Sequence, residues 1–441
     1  MTLAIVLQFL VVLAAIWMGA RSSGIGLGLW GAVGLMVLVA GFGINPTSPP
    51  IDVMLIILAV IMAASVMEAA GGIDFLVRIA ERIIRANPKY VTIVAPLTTW
   101  TFTFVAGTGH IVYPLLPVIY ETAHRSGIRP ERPMAVATIA SQQAITASPV
   151  AAATAAMIGL FAEKGMTQWG LPQILMVCVP ATLTGVVAAA IVSMFVGKDL
   201  KDDPEYQARL AAGQIPAPQA DTSRTPLKPG ARLSAFIFLA GVALVVLFGF
   251  FPSLRQLPGA KSPLAMPIVI EILMMSVAAL MLLLTKVPVD EVPKTATLRA
   301  GVVAVIGIFG LAWLGDSFIA ANKDVIVPAI GDWAKVAPWT FAFGLFLASV
   351  LLYSQAATTR ALMPLGIALG IPPQFLIAMF PSVNGYFFIP TYGSLIAAIN
   401  FDLSGTTKIG KYVLNHSFMI PGLVATSVAV FTGLAIARVI F

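Results

Sequence analysis

Charged residues are scarce in this chain of 441 residues, where they make up 10% of the sequence and hydrophobic residues make up 59%. Soluble globular proteins carry roughly 25% charged residues, so this chain lacks the charge needed to cover a surface that faces water. It also has one cysteine, Cys178, and three histidines, which excludes an internal disulfide and argues against a structural zinc site. The composition therefore predicts an all-α polytopic membrane protein that spans a lipid bilayer.

Sequence motifs of common enzyme classes are missing as well. The chain has no Gly-x-Ser-x-Gly, no His-Glu-x-x-His and no phosphate-binding loop. Its net charge of +7 does not indicate nucleic-acid binding, because membrane proteins concentrate basic residues in their cytoplasmic loops. We therefore expect neither an enzyme nor a nucleic-acid-binding protein, and we expect no cofactor.

Ten apolar segments are long enough to cross a bilayer, which takes about 20 residues. They are residues 3–20, 25–43, 52–70, 133–161, 170–196, 233–252, 264–285, 300–320, 374–400 and 412–437. Two further apolar stretches, about 91–120 and 338–370, are interrupted by polar clusters and are predicted to be re-entrant hairpins. Arms that cross the membrane completely fit the distribution of charge equally well.

Basic residues predict the orientation of these segments. If the N-terminus is external and both hairpins return to the side they entered from, most of the 26 lysines and arginines lie in cytoplasmic loops. This asymmetry is the one that the positive-inside rule describes. It predicts a multi-pass membrane protein with both termini on the external side.

The order of the spans divides the chain into two similar units. Residues 1–196 and residues 233–441 each contain five spans and one hairpin, and the odd number of spans makes the second unit inverted relative to the first. Residues 197–232 are rich in proline and are predicted to be a mobile cytoplasmic linker. Inverted repeats with broken helices at matching positions are typical of secondary transporters.

Polar interruptions lie at similar positions in the two units. In the first unit they are residues 105–110 and 141–149, and in the second they are residues 354–360, 381–385 and 390–394. Irregular backbone at membrane depth is tolerated where it lines a watery cavity, and helix N-termini bind carboxylates. We therefore predict one anion-binding site near the middle of the membrane. Its candidate residues are Gly107, Thr108, Gly109, His110, Thr146, Ser148, Thr358, Thr359, Arg360, Asn384, Thr391 and Ser394.

Individual candidates also have structural explanations. Hydroxyl residues in membrane helices often mediate helix packing, and His110 is either a proton-responsive ligand or a hydrogen-bonded residue of the hairpin tip. Arg360 is the one basic residue predicted within a hairpin, where its guanidinium would match a substrate carboxylate. The alternative is that Arg360 extends to the membrane surface. Acidic residues are missing from the interrupted segments, which favours an anion as the transported species.

Several longer motifs are distinctive. They are Pro88-Lys89-Tyr90-Val91, Gly107-Thr108-Gly109-His110, Arg129-Pro130-Glu131-Arg132-Pro133-Met134-Ala135, Ala147-Ser148-Pro149-Val150, Ser354-Gln355-Ala356-Ala357 and Asn415-His416-Ser417-Phe418. Together they resemble the anaerobic four-carbon dicarboxylate transporter (Dcu) family, of DcuA/DcuB type, over nearly the whole chain. The resemblance implies membership of the ion-transporter superfamily. It therefore also implies a dimer in which each subunit has a scaffold domain and a moving transport domain.

The resemblance also implies a location in a bacterial inner membrane, with both termini then in the periplasm, and a function. Such proteins exchange or take up fumarate, succinate, malate and aspartate, with succinate leaving as fumarate enters, and a homodimer that works as an elevator is expected. A coupling Na⁺ or H⁺ is the one possible accessory ion. The alternatives are a Na⁺- or H⁺-coupled carrier of another small organic anion, and a membrane-embedded partner that senses dicarboxylate for a signalling kinase.

Overall fold

The computed structural model describes residues 3–22, 24–215, 226–260, 262–337, 339–412 and 414–441, with all of their side chains except those of residues 20 and 326–336. Within these ranges the protein is helical and has no strand, apart from an isolated β-bridge between Ile409 and His416. The all-α prediction is therefore confirmed. Six of the described helices have the length and hydropathy needed to cross a membrane.

The first half of the chain contains long apolar helices and several shorter ones. They are α1 (Leu3–Ser22), α2 (Gly26–Phe42), α3 (Ile51–Ala69), α4 (Gly72–Ala86), α5 (Val91–Ala106), α6 (Val112–Arg125), α7 (Glu131–Gln143), α8 (Ala152–Glu163), α9 (Leu171–Ser193) and α10 (Pro204–Ala211). The predicted first hairpin consists of α5 and α6, and the predicted fourth span is broken into α7 and α8. Both interruptions are thus where the sequence places them.

The second half contains a similar set. Its helices are α11 (Ala231–Phe250), α12 (Met266–Thr285), α13 (Ala296–Gly307), α14 (Trp313–Val336), α15 (Thr340–Leu352), α16 (Gln355–Ala368), α17 (Pro373–Met379), α18 (Gly393–Phe401) and α19 (Met419–Ile440). The predicted span 300–320 is too short, because α13 continues into α14 through a π-helical turn, Ile308–Ala312. The predicted start of the last span at residue 412 is also wrong, since α19 begins at Met419 after a loop that folds around the buried carboxylate of Asp402.

The two broken spans have a local cause. A 3₁₀ turn, Ala144–Thr146, follows α7, and Pro149 precedes α8. A longer 3₁₀ segment, Phe380–Phe387, separates α17 from α18, and Pro390 follows it. Proline removes a backbone donor and clashes with the preceding helical turn, which favours a break in each span. The inverted relation of the two halves and the re-entrant path of the hairpins stay predictions.

The helices pack in two groups. The scaffold group comprises α1–α4 and α11–α14, and its most extensive contacts join α1 to α2 and α3 to α12. The hairpin group comprises α5–α9 and α15–α19, and its most extensive contacts join α9 to α19 and α5 to α7. The groups meet where α8 packs on α3, where α4 packs on α5 and α6, and where α16 packs on α14 and the π-helical turn. This division places both hairpins and both broken spans in one group.

Glycines allow a backbone-to-backbone contact inside the scaffold group. A Cβ on Gly310 would lie 1.7 Å from the carbonyl oxygen of Gly28, and a Cβ on Gly28 would lie 2.0 Å from the carbonyl oxygen of Ile306. Small residues let membrane helices approach this closely and gain van der Waals contact. The contact holds α2 against the π-helical turn, which adjoins the cavity described below.

The start of the predicted linker is packed against the hairpin group. Arg129 pairs with Asp203, which caps α10, and Arg132 pairs with Asp199 at 2.9 Å. Interpreting the whole linker as mobile is therefore wrong for α10 and the turn before it, because ion pairs fix that segment to the loop before α7. Residues 216–225 of the linker lie outside the described residues.

Candidate functional site

A cavity of about 780 Å³ lies between the two groups of helices. On the hairpin-group side it is lined by His110, Ser354, Gln355, Thr391, Tyr392 and Gly393. On the scaffold-group side it is lined by Ala296, Arg299, Ala300, Val303, Ala304 and Gly307. A smaller cavity of about 140 Å³ shares His110, Ser354, Gln355 and Tyr392 with it and extends to Gly107, Thr108 and Gly109.

Helical segments begin at the walls of these cavities. The first residues of the 3₁₀ turn Gly109–Ile111 and of α8, α16 and α18 all line one cavity or the other. The first N–H groups of a helix have no partner within the helix, and the helix dipole adds a partial positive charge there. The described residues that line the two cavities include no aspartate or glutamate. This combination suits a carboxylate.

The two hairpin tips are built in the same way. Thr108 Oγ1 accepts a hydrogen bond from the backbone N–H of His110 at 3.3 Å, and Ser354 Oγ accepts one from the N–H of Ala357 at 3.2 Å. Each hydroxyl thus caps the helical segment that starts after it. Both capping residues lie at chain reversals that line the cavities.

Glycine is required at the first tip for two reasons. Gly107 has a φ of 70°, and a Cβ there would lie 2.6 Å from the carbonyl oxygen of Val150. At Gly109 a Cβ would lie 2.4 Å from the side-chain nitrogen of Gln142. The left-handed region is unfavourable for residues with a Cβ, and both positions are also crowded.

Amide side chains, three of them buried, connect the two halves of the chain behind the tips. Gln355 Nε2 donates to Gln142 Oε1 at 2.9 Å and to Asn384 Oδ1 at 3.2 Å. Asn384 Nδ2 donates to Gln143 Oε1 at 3.3 Å, and Gln143 Nε2 donates to Thr426 Oγ1 at 2.8 Å. Satisfied networks of this kind are rigid, whereas a broken one leaves costly unpaired groups. The network therefore fixes α7, α16 and the 3₁₀ segment relative to one another.

Tyr353 is strained at the second tip. Its φ of 49° lies in the left-handed region, which costs a non-glycine residue about 1–3 kcal/mol and is found most often at functional sites. Its hydroxyl is 2.7 Å from Thr391 Oγ1, and its ring stacks on Tyr392 with centroids 6.3 Å apart. These contacts tie the end of α15 to the loop that precedes α18.

Comparisons with known proteins agree with this architecture. A sequence model described as "Anaerobic c4-dicarboxylate membrane transporter" matches residues 4–441. The chain belongs to the DcuA/DcuB family of anaerobic C4-dicarboxylate transporters. This confirms the resemblance deduced from the motifs, and it identifies a multi-pass inner-membrane protein.

The relatives of this family align along nearly their full length. The C4-dicarboxylate transporter DcuA of Wolinella succinogenes is 41% identical over 437 residues, which is 99% of this chain and 100% of the relative. DcuA of Escherichia coli K12 is 42% identical over 430 residues, covering 97% and 98%. The anaerobic C4-dicarboxylate transporter DcuB of Escherichia coli O6:H1 is 40% identical over 429 residues, covering 96% of each chain.

Solved structures support the fold of this family member. MtrF of Neisseria gonorrhoeae, from a class of antimetabolite efflux pumps, superposes with a TM-score of 0.55 at 14% identity, covering 93% of this chain and 85% of its own. The YdaH transporter of Alcanivorax borkumensis superposes with a TM-score of 0.56 at 13% identity, covering 92% and 87%. At this identity the likeness extends to the fold alone.

Part of the predicted site lines the cavities of this DcuA/DcuB-family protein. The residues that do so are Gly107, Thr108, Gly109, His110 and Thr391. Asn384 lies one hydrogen bond behind them, because its amide contacts the lining residue Gln355. The structure therefore brings the first hairpin tip and the second broken span together.

The remaining hydroxyl candidates do not line these cavities. Thr146, Ser148, Thr358 and Thr359 are buried, and each donates its hydroxyl to a backbone carbonyl group at 2.6–2.9 Å. Ser394 is also buried, and its hydroxyl has no hydrogen-bond partner among the described residues. In the first four residues the structural explanation accounts for every hydroxyl, because serine and threonine side chains commonly bond nearby backbone carbonyl groups.

Arg360 is directed elsewhere. Its side chain is 0% exposed, and its guanidinium contacts Glu163 at 3.0 Å and Asp316 at 3.2 Å. Neither sequence-based interpretation describes this arrangement. The charge is already balanced by two carboxylates. Arg360 lines neither of the two cavities, and its fully buried side chain does not reach the membrane surface.

Sequence reasoning missed several lining residues. Gln142 and Gln355 lie in polar clusters that the sequence analysis had identified. Nothing in the sequence distinguished these two amides from the serines and threonines beside them. Tyr392 lies in the marked segment 390–394 and Tyr353 precedes the marked segment 354–360, but neither was chosen as a candidate. Arg299 was counted among the cytoplasmic loop residues, because only the tertiary structure shows that this part of α13 borders the cavity.

Proposed function

We propose that this protein exchanges four-carbon dicarboxylates across the inner membrane, with fumarate entering as succinate leaves, and with malate and aspartate as further substrates. The observation that carries the proposal is the cavity between the hairpin tips and α13, which is lined by helix starts and by no described carboxylate. The names of the DcuA and DcuB relatives give the substrate class. The helix starts would bind one carboxylate through free N–H groups.

Alternating access would come from movement of the hairpin group against the scaffold group. The cavity has one wall from each group, so such movement would open and close it. The scaffold wall is formed largely by small side chains, including Ala296, Ala300, Ala304 and Gly307, which offer little steric resistance to sliding. Asp316 of α14 and Arg360 of α16 form an ion pair across the boundary, and this pair would separate in each cycle. A homodimer joined through the scaffold group, with periplasmic termini, completes the elevator.

Exchange is tested in proteoliposomes that contain the purified chain. Labelled fumarate is supplied outside, with or without succinate inside, and with or without a Na⁺ or H⁺ gradient. We expect rapid uptake with internal succinate and little uptake without it. Uptake that requires an ion gradient and ignores internal succinate would identify an ion-coupled carrier. Binding of fumarate without any flux would favour the sensing partner.

Movement between the groups is tested by cross-linking. Ala152 of α8 and Ala304 of α13 line the same 140 Å³ cavity from opposite groups, so cysteines there are within reach of a short bifunctional thiol reagent. In a Cys178→Ala background, cross-linking this pair should abolish exchange. The control joins Ser22 to Trp30, which are hydrogen-bonded between α1 and α2 of the scaffold group, and should leave exchange intact. Full exchange by the cross-linked Ala152–Ala304 pair would refute the elevator.

A further inference from the structure

We propose that Arg299 binds the second carboxylate of the substrate and thereby makes the carrier selective for dianions. This inference rests on the proposed transport of dicarboxylates. Arg299 lines the 780 Å³ cavity and is the one lysine or arginine among the described residues that line it. Its side chain makes no hydrogen bond or ion pair with any described residue, so its charge is available to a ligand.

The position of Arg299 follows from the face that α13 presents. Ala296, Arg299, Ala300, Val303 and Gly307 recur at intervals of three and four residues, which places them on one side of a helix. All of them line the cavity. Arg299 and Gly307 are about 12 Å apart along the helix axis at 1.5 Å per residue. The long side chain of Arg299 therefore lies at one end of a helix face whose other side chains are small. The small residues leave space between the guanidinium and the hairpin tips.

The electrostatics of α13 give no structural reason for a cation at this place. Arg299 is in the first turns of the helix, where the macrodipole disfavours positive charge. Glu68, the nearby acidic group, accepts hydrogen bonds from the backbone N–H groups of Ala296 and Thr297, both at 3.0 Å, and makes no hydrogen bond or ion pair with Arg299. Arg299 is exposed and unpaired among the described residues, so its guanidinium is free to bind a ligand that enters the cavity.

A dianion would be bound more strongly with such a group. Each helix start supplies a partial charge of roughly half a unit, and its effect falls off within the first turn. Moving a second carboxylate out of water is costly unless it is paired and hydrogen-bonded. A guanidinium does both with two parallel hydrogen bonds. Arg360 cannot take this part, because Glu163 and Asp316 already hold it.

The experiment pairs a change in the protein with a change in the substrate. Transport of succinate and of its monomethyl ester is measured in proteoliposomes with the wild type, Arg299→Gln and Arg299→Lys. Because charge-assisted hydrogen bonds are worth about 1.5–3 kcal/mol, Arg299→Gln should raise the KM for succinate about 10- to 100-fold. The KM for the monomethyl ester should hardly change, and Arg299→Lys should fall between the two.

Controls separate this role from a general effect of positive charge near the membrane. Lys294 lies in the exposed segment before α13 and lines neither cavity. Lys294→Gln should therefore leave both KM values unchanged. Equal loss for succinate and its ester in Arg299→Gln, or unchanged preference for the dianion, would overturn the inference. A wild type that transports neither compound would instead refute the proposed function.

Discussion

The buried ion triad of Arg360, Glu163 and Asp316 allows a quantitative test of the packing between the two groups. Arg360 is fully buried, while the side chains of Asp316 and Glu163 are 12% and 25% exposed. Removing one partner of a buried pair costs about 3–5 kcal/mol, because an uncompensated charge is left behind. The partial exposure of both carboxylates places Arg360→Met near the lower end, at about 3 kcal/mol.

A double-mutant cycle separates this effect from lost packing. Arg360→Met leaves two carboxylates without the guanidinium that pairs with both, whereas Arg360→Met combined with Asp316→Asn leaves one. The combined variant should therefore be more stable than Arg360→Met alone, although most second substitutions add damage. Asp316→Asn alone should cost less than Arg360→Met, because Glu163 still balances the arginine.

The assay is thermal unfolding of the purified protein in one detergent, followed by intrinsic fluorescence. We expect the unfolding temperature to fall in the order wild type, Asp316→Asn, the combined variant and Arg360→Met. Arg360→Lys should be intermediate, since lysine keeps the charge but cannot bridge two carboxylates with the same geometry. The assignment of a buried triad would be refuted if Arg360→Met had the unfolding temperature of the wild type. It would also be refuted if the combined variant were less stable than Arg360→Met.

Three further predictions concern the site and the linker. Gln355→Ala should lower stability by about 1–3 kcal/mol, because amide partners lose their bonds, and an unchanged unfolding temperature would argue against the network. Gly109→Ala should displace the amide of Gln142 and sharply reduce fumarate exchange by a folded protein, so wild-type exchange would contradict the close contact. Burial raises the pKa of Asp203, but hydrogen bonds from Arg129 and from backbone N–H groups outweigh it and lower the pKa below its ordinary value. The stabilisation by Asp203 is then complete above about pH 3.9 and is lost as the pH falls through the lower, folded pKa. Proteolysis of the linker should increase over that fall in pH in the wild type, whereas Asp203→Asn should show no such increase.

Much of the architecture follows from local sequence. The lengths of the apolar runs predict membrane helices because the thickness of the bilayer sets how many residues a span needs. The breaks near Pro149 and Pro381 follow from the missing N–H and the steric demands of proline. Gly107 marks a chain reversal because a left-handed backbone favours glycine. Each of these statements depends on neighbouring residues. The breaks and the reversal agree with the structure, whereas six of the described helices, against ten predicted spans, have the length and hydropathy to cross a membrane.

Tertiary structure decided which charges meet. Arg360 lies beside Thr358 and Thr359 in sequence, yet its partners Glu163 and Asp316 are 197 and 44 residues away. The docking of α10 likewise depends on Arg129 and Asp203, which are 74 residues apart. Hydropathy and helix periodicity contain no information about such distances.

Arg299 is a second residue whose surroundings the sequence alone could not predict. The sequence alone places it among loop residues near the start of a span, and the positive-inside rule explains a cation there without any further role. Only the packing of α13 against the hairpin tips places Arg299 on the wall of a cavity. The sequence determines that a cation is present, whereas its availability to a substrate depends on which side chains the fold brings near it.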